Sequence, residues 1–237
     1  MRIAKLLGHK SKDYYKKVLS TSGLLAYWPL WEASGTTVTD IANARNGTYT
    51  GVDLGLTGIG DRRSCPLFGA ADMAAVYSAG LAGAFSGAAG SLMAWVKASA
   101  VGVWTDGEYH YIFNFAADGN NEIWMRKSNT NNRVLHRYAS QNTGAQVQED
   151  GLSATGWLCY IYTWARAGAG FSVYKDGIQV GTSQAITKDW QGTLGATFCT
   201  IGAEDTTPGY SWSGNVAHVA LWNAVLPIGE IKRLSVV

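Results

Sequence analysis

The residues that could carry bond-breaking chemistry in this 237-residue chain are few and poorly spaced for it. Glu149-Asp150 and Glu204-Asp205 are adjacent pairs, and neighbours along a strand point to opposite faces. Glu122 stands in Asn121-Glu122-Ile123-Trp124-Met125-Arg126 with no second acid at an alternate position. Two carboxylates flanking one bond, which glycoside hydrolysis requires, are therefore not expected. The four histidines, His9, His110, His136 and His218, show no HxH or HExxH spacing that would suit zinc. No GxSxG presents a nucleophilic serine, and no glycine-rich loop before a helix cradles a phosphate. Cys65, Cys159 and Cys199 lack a CxxC spacing and cannot all pair with one another. They read as buried free thiols, and a Cys159–Cys199 bridge stays open because both lie in strand-like runs.

The chain is richer in binding chemistry. Its ten tryptophans exceed what one core usually needs. Trp28, Trp95, Trp164 and Trp222 sit in apolar runs and read as core. Trp31, Trp104, Trp190 and Trp212 lie beside Gly, Asp or Ser in expected loops. Trp124 alternates with Ile123 and Met125, so it shares a strand face with Glu122 and Arg126. His136 and Tyr138 share a face on the next expected strand. Aromatic rings beside Arg, Asp and Asn hold a sugar by stacking on its C–H face and hydrogen-bonding its hydroxyls. A wet protein interface has the same make-up. The expected contact surface is Trp124, Arg126, His136 and Tyr138 with the Trp104-Thr105-Asp106 loop, on a binding protein rather than an enzyme.

The elements that must position these residues read as strands. Leu24–Leu30 is an apolar run rich in strand-favouring aromatics. Pro29 cannot donate to a ladder, so this strand lies at an edge or bends there. A strand so apolar on both faces needs a cover, and Val216–Trp222 is the best candidate, so the two chain ends are expected to pair in one sheet. Ser91–Lys97 alternates Leu92, Ala94 and Val96 against Met93, Trp95 and Lys97. Further strands are expected at Leu67-Phe68, Ala75–Tyr77, Tyr109–Phe115, Glu122–Lys127, Arg133–Ala139, Trp157–Ala165, Ala169–Lys175, Ile178–Thr182 and Cys199–Gly202. Leu81–Ala88 reads as a loop or one helical turn. Asp176-Gly177 is a two-residue hairpin turn. Ser11 can cap a short helix through Tyr14, Tyr15, Val18 and Leu19, and Pro227 opens another over Ile228–Leu234. Many antiparallel strands between Gly and Asn turns, with no linker and no repeat, make an all-β, two-sheet jellyroll sandwich. Its expected domains are a basic N-terminal arm or helix, residues 1–22, and one jellyroll domain, residues 23–237.

The stretch AYWPLWEASGTTVTD through NGTYTG resembles the opening of a laminin-G-like jellyroll domain of the concanavalin A-like lectin/glucanase superfamily. SLMAWVK, Trp157–Trp164, FSVYKDGIQVG, Ile201-Gly202 and WSGNVAHVALWN follow in the order that family shows. The resemblance implies a fold that hosts lectins, hydrolases and structural modules. Its glucanase branch carries an E-x-D-x-x-E strand, and the corresponding strand here has only Glu122. Relatives often hold one structural calcium with a loop acid after the first strand and acids on the closing strand. Asp40 keeps the first position. The closing strand reads Gly214-Asn215-Val216-Ala217-His218 and lacks the others, so calcium stays open with no ligand set named, and Asp40 also reads as a plain turn acid.

Charge divides the chain. Residues 1–22 hold Arg2, Lys5, Lys10, Lys12, Lys16 and Lys17 against Asp13, a net +5, and the remainder carries −3. No basic face for nucleic acid is evident. No apolar run of about 18 residues crosses a membrane, and Lys5 breaks the apolar part of the N-terminus, so no signal peptide is expected. Proteins of this type usually act outside cells. A phage virion surface or tail module resolves that tension, because virions leave by lysis. The expected partners are a glycan or a virion structural protein, with homo-oligomerisation. The alternative is a lectin-like carbohydrate-binding module in the bacterial cytoplasm or at the cell surface, and a glycoside hydrolase comes last.

Overall fold

The computed structural model describes residues 13–237. Helix α1 (Tyr14–Leu19) precedes strands β1 (Leu24–Trp28), β2 (Thr37–Val38), β3 (Gly47–Thr50), β4 (Asp53–Thr57), β5 (Ser64–Phe68) and β6 (Met73–Ala75). Helix α2 (Ala79–Ala84), β7 (Ala89–Ala98) and a 3-10 turn over Val101–Trp104 follow. Next come β8 (His110–Asp118), β9 (Asn121–Lys127), β10 (Val134–Ser140), β11 (Thr143–Glu149), β12 (Leu158–Ala165), β13 (Gly170–Lys175) and β14 (Ile178–Gln184). The chain closes with β15 (Thr200–Ile201), β16 (Gly214–Trp222) and α3 (Ile228–Leu234).

Two eight-stranded antiparallel sheets face each other, as expected for a jellyroll sandwich. The first runs β14-β13-β12-β7-β16-β5-β4, with β1 also pairing β16; the second runs β11-β10-β9-β8-β15-β6-β3-β2. The chain ends meet as predicted: Leu24 lies opposite Trp222 and Trp28 opposite Val219.

The reason is visible in β7 and β16. Leu92, Ala94 and Val96 of β7 enter the core between the sheets, together with Val216, Val219 and Leu221 of β16. The opposite faces, Met93 and Trp95 of β7 with Ala217, Ala220 and Trp222 of β16, form a second apolar layer. A sheet apolar on both faces needs two covers. Here the outer cover is Tyr14 and Val18 from α1 with Ile231 and Leu234 from α3. The Tyr14–Leu19 helix is thus packed on its own sandwich; Ser11, its expected cap, lies outside the described residues.

Some local readings change. The loop or single helical turn expected at Leu81–Ala88 is helical in its first half, where α2 starts earlier than expected and is capped by Ser78, whose side chain accepts from the Leu81 N–H. Strands β4 and β11 were not expected. In β11, Ala145, Val147 and Glu149 turn inward between exposed Gln146 and Gln148, an alternation masked by its low hydrophobicity. All three cysteines are free and buried: Cys159 lies under the helices and Cys199 between the sheets, so no bridge forms. Among the described residues, no helix is long and apolar enough to cross a membrane.

Candidate functional site

Pairing of β8, β9 and β10 decides which predicted contact residues share a surface. Trp124 lies opposite Arg137, and Arg126 opposite Leu135. His136 faces Met125 and Tyr138 faces Ile123. Directly opposed residues share a face, so His136 and Tyr138 fall on the inner side while Trp124 and Arg126 fall on the outer one. A one-residue offset in register moves a side chain to the other face. Both inner residues are completely buried. His136 Nδ1 meets the Tyr162 hydroxyl at 2.5 Å, and Tyr138 donates to the Gly87 carbonyl at 2.7 Å. They belong to the core, not to a contact surface.

Trp104 needs the same correction. It ends the 3-10 turn, is 1% exposed, donates from Nε1 to the Ala154 carbonyl at 2.9 Å, and packs on Trp212 with ring centres 5.8 Å apart. Trp212, also read as a loop residue, is fully buried. Trp28, Trp95, Trp164 and Trp222 are buried as expected. Asp106 is partly exposed, but its carboxylate is engaged by Lys127 and His110.

On the outer face, the Arg126 guanidinium lies 4.3 Å from the Tyr109 ring centre, 4.6 Å from Trp124 and 5.3 Å from Tyr111. Its Nη1 donates to the Tyr111 hydroxyl at 3.0 Å. Arg137 lies 6.0 Å from the Trp124 ring centre and is held by Glu122 at 2.7 Å. The arginines leave Trp124 only 5% exposed, so its face is taken by cations.

The accessible rings belong to Tyr109 and Tyr210. They meet edge to face, 5.7 Å apart at 87°, and line a cleft of ≈ 230 Å³ with Ala71, Glu108, His110 and Ser211. Tyr210 is 51% exposed. It holds φ 51°, and Ala71 holds φ 64°; backbone in this region is strained for side chains of this kind and persists where surrounding structure imposes it. The Tyr111 N–H fixes the Tyr210 carbonyl at 2.7 Å. Two buried polar atoms here have no hydrogen-bond partner, Ser211 Oγ and Arg126 Nε. Sequence reading passed over Tyr109, Tyr210 and Ser211; the available signal was an aromatic in the Pro208-Gly209-Tyr210-Ser211 turn.

The carboxyls whose surroundings shift them are held in the ionised form. Burial pushes the Asp106 carboxyl up, but Lys127, the Glu108 N–H and His110 bring it below its usual range. Burial raises the Glu149 carboxyl too, yet His136, Lys175 and Tyr160 pull it down to about 2. Every carboxyl clearly shifted, these two with Asp61, Asp118, Asp150 and Glu230, is shifted downward. Asp40, the acid retained at the calcium position, accepts the backbone N–H groups of Tyr27, Ala42, Asn43 and Arg45. Its oxygens close a turn. Among the described residues, no three His, Cys, Asp or Glu side chains group as a metal site.

A family profile described as the concanavalin A-like lectin/glucanases superfamily matches residues 68–232. No curated protein matches the chain. Among solved structures, Trypanosoma rangeli sialidase in complex with sialic acid superposes with a TM-score of 0.68 at 14% identity, over 92% of this chain and 33% of the sialidase. The chain thus spans about a third of that protein's length. Domain 4 of AbnA, a GH43 extracellular arabinanase from Geobacillus stearothermophilus, in complex with arabinotriose, gives 0.63 at 14% identity over 90% of this chain and 98% of the domain. The botulinum neurotoxin type G receptor binding domain gives 0.60 at 12%, over 90% and 51%. At such identities the likeness is one of fold.

Proposed function

Because the chain belongs to the concanavalin A-like lectin/glucanase superfamily, we propose that it is a non-catalytic binding module that takes a glycan in the Tyr109–Tyr210 cleft. The observation that carries this reading is the unpartnered Ser211 Oγ, buried at the wall of a cleft that the Tyr109 and Tyr210 rings line together with Glu108 and His110. Buried polar groups normally have partners. A sugar supplies hydroxyls for Ser211 and a C–H face for the rings, and the cleft has room for about one ring. Trp124, Arg126 and Asp106 support the cleft from behind. The non-catalytic part of this reading is supported by the spacing of the acids, since Glu122 has no second acid at an alternate strand position and Glu149-Asp150 and Glu204-Asp205 are adjacent pairs. That arabinotriose accompanies one structural neighbour and sialic acid another makes these the first ligands to try.

The test is a glycan array followed by titration calorimetry. Tyr210→Ala should weaken the best ligand about fivefold, the value of an aromatic contact of ~1 kcal/mol. Unchanged affinity in a folded Tyr210→Ala protein would remove the cleft from the binding reading. Hydrolysis of a polysaccharide panel, abolished by Glu122→Gln, would overturn the non-catalytic one.

The charge split favours a finer reading, a phage virion surface or tail module assembled as a homo-oligomer and held by the basic residues that precede α1, since α1 itself packs on the sandwich. A +5 segment on a −3 body suits docking on an acidic neighbour or on another copy. Deleting residues 1–11 should then change solution mass or particle binding; no change in either excludes docking through this segment. Tailed-phage structural genes beside the coding sequence would support it.

A further inference from the structure

We infer that the two walls of the Tyr109–Tyr210 cleft are latched together by the doubly protonated form of His110, so that loss of one proton from this ring opens the cleft. The inference concerns the regulation of the proposed glycan site and rests on that reading for its functional meaning, though not for its geometry. His110 opens β8 and stands between the walls. Its Nδ1 lies 2.6 Å from the Ser211 carbonyl oxygen, and its Nε2 lies 2.7 Å from Asp106 Oδ2. A carbonyl oxygen and an ionised carboxylate can only accept. Neutral imidazole carries one N–H, so it serves one partner and turns a lone pair on the other. Two bonds of these lengths require either the imidazolium or a protonated Asp106.

Charge excludes the protonated acid. The Lys127 side chain is fully buried and donates from Nζ to Asp106 Oδ1, and the Glu108 N–H donates to the same oxygen at 3.0 Å. Despite burial, these bonds keep the Asp106 carboxyl below its usual range. Lys127 is also the strand partner of His110. The charged or titratable groups around the ring are therefore Asp106, Glu108 and Tyr109 from its own approach, Lys127 from β9 and Tyr210 from the far wall. The uncharged Trp212 indole stands edge-on at 6.5 Å.

When the ring loses a proton, the charge-assisted bond to Asp106 is the stronger of the two and is kept. The Nδ1 lone pair then faces the Ser211 carbonyl and the two must separate. Ser211 draws on Tyr210, which precedes it on the same turn, and the bond from the Tyr111 N–H to the Tyr210 carbonyl must lengthen as they move. The Tyr109–Tyr210 contact that forms the cleft loosens as a result.

The experiment is a side-chain nitrogen NMR titration of His110 in the full, ligand-free chain, assigned with His110→Asn, across about pH 5 to 8, where imidazoles exchange protons. The expected result is a ring protonated on both nitrogens at the acid end, loss of the Nδ1 proton in one step, and a shift of the Tyr210 amide with the same midpoint. A His110 ring with a bare Nδ1 throughout, or a Tyr210 amide that does not move with it, overturns the latch. Arabinotriose and sialic acid are then titrated by calorimetry on each side of the step. Whichever binds should weaken about fivefold at the alkaline side, the value of one hydrogen bond. A chain that binds neither of these sugars nor any glycan of the array, while the His110 and Tyr210 steps coincide, supports the latch and removes the glycan reading. Binding of equal affinity on both sides overturns the latch as a regulator.

Discussion

The Tyr14 hydroxyl donates to the carbonyl of Leu234, 220 residues away, and so ties the first helix to the last. Trp95 Nε1 donates into the same hydroxyl at 2.7 Å. One oxygen thereby fastens α1 and α3 over the outer face of β7. Tyr14→Phe leaves a buried indole N–H without its acceptor and the Leu234 carbonyl with only the weak Cys159 Sγ contact at 3.9 Å, and should lower stability by about 1–3 kcal/mol in urea unfolding. Tyr15→Phe is the control, since Tyr15 packs against half-buried Trp31 and a flanking arginine. Equal effects of the two changes would show that the shared hydroxyl does not hold the termini.

Stability should fall in acid. The Glu149 carboxyl stands at about 2 in the folded protein against an ordinary 4.5. A carboxylate with a depressed folded value stabilises fully above its unfolded value, and that contribution disappears as pH falls toward the folded one. The expected loss between about pH 4.5 and pH 2 is roughly 3 kcal/mol. Burial lowers His136 and His218, and partial compensation by Glu149 and Asp61 does not restore them. Their unfolded forms take up protons first, so they add to the loss as pH drops below the ordinary imidazole range. Denaturant midpoints measured from pH 7 to pH 2 should decline more steeply for the parent protein than for Glu149→Gln.

The thiols should be silent in the native state. Burial pushes Cys65 up to about 11 and Cys199 up to about 12, and raises Cys159 further still. The thiolate is the reactive species, and all three sulfurs are enclosed. A chromogenic disulfide reagent at pH 8 should label no thiol before unfolding and three after it. One fast native thiol would contradict the packing around that cysteine.

Gly202 tests the join between the sheets and the site. It holds φ +84°, and a Cβ there would lie 2.2 Å from the buried Phe68 ring. Its carbonyl takes the Trp212 N–H at 2.8 Å, just beyond Tyr210 and Ser211. Gly202→Ala should cost about 2–4 kcal/mol through backbone strain and overpacking. Gly229→Ala in α3, where nothing lies within 4 Å of the new atom, should instead gain about 0.5–1 kcal/mol. Thermal unfolding of the two variants reads both signs, and a mild Gly202→Ala would mean that Phe68 has room to move.

Much of the fold was legible along the chain because it follows from patterns a few residues long. Leu92–Val96 and Val216–Trp222 are apolar on both faces, so each had to lie inside a covered sheet, and the apolar opening strand had to find an equally apolar partner. The Asp176-Gly177 turn and the start of the helix after Pro227 follow from local backbone preferences. The site was not legible in the same way. Trp124 and His136 were each placed correctly within their own strand, but only the pairing of β9 with β10 sets which faces coincide, and that pairing sends them to opposite sides. Trp104 looks like a loop aromatic until Trp212 and the Ala154 carbonyl, remote in sequence, close over it. The cleft joins residues near 71, 109 and 210, and its unpartnered Ser211 hydroxyl exists only once those segments meet. Local pattern determines which residues turn inward from a strand; register and long-range packing determine what they then touch, and a binding site is made of those contacts.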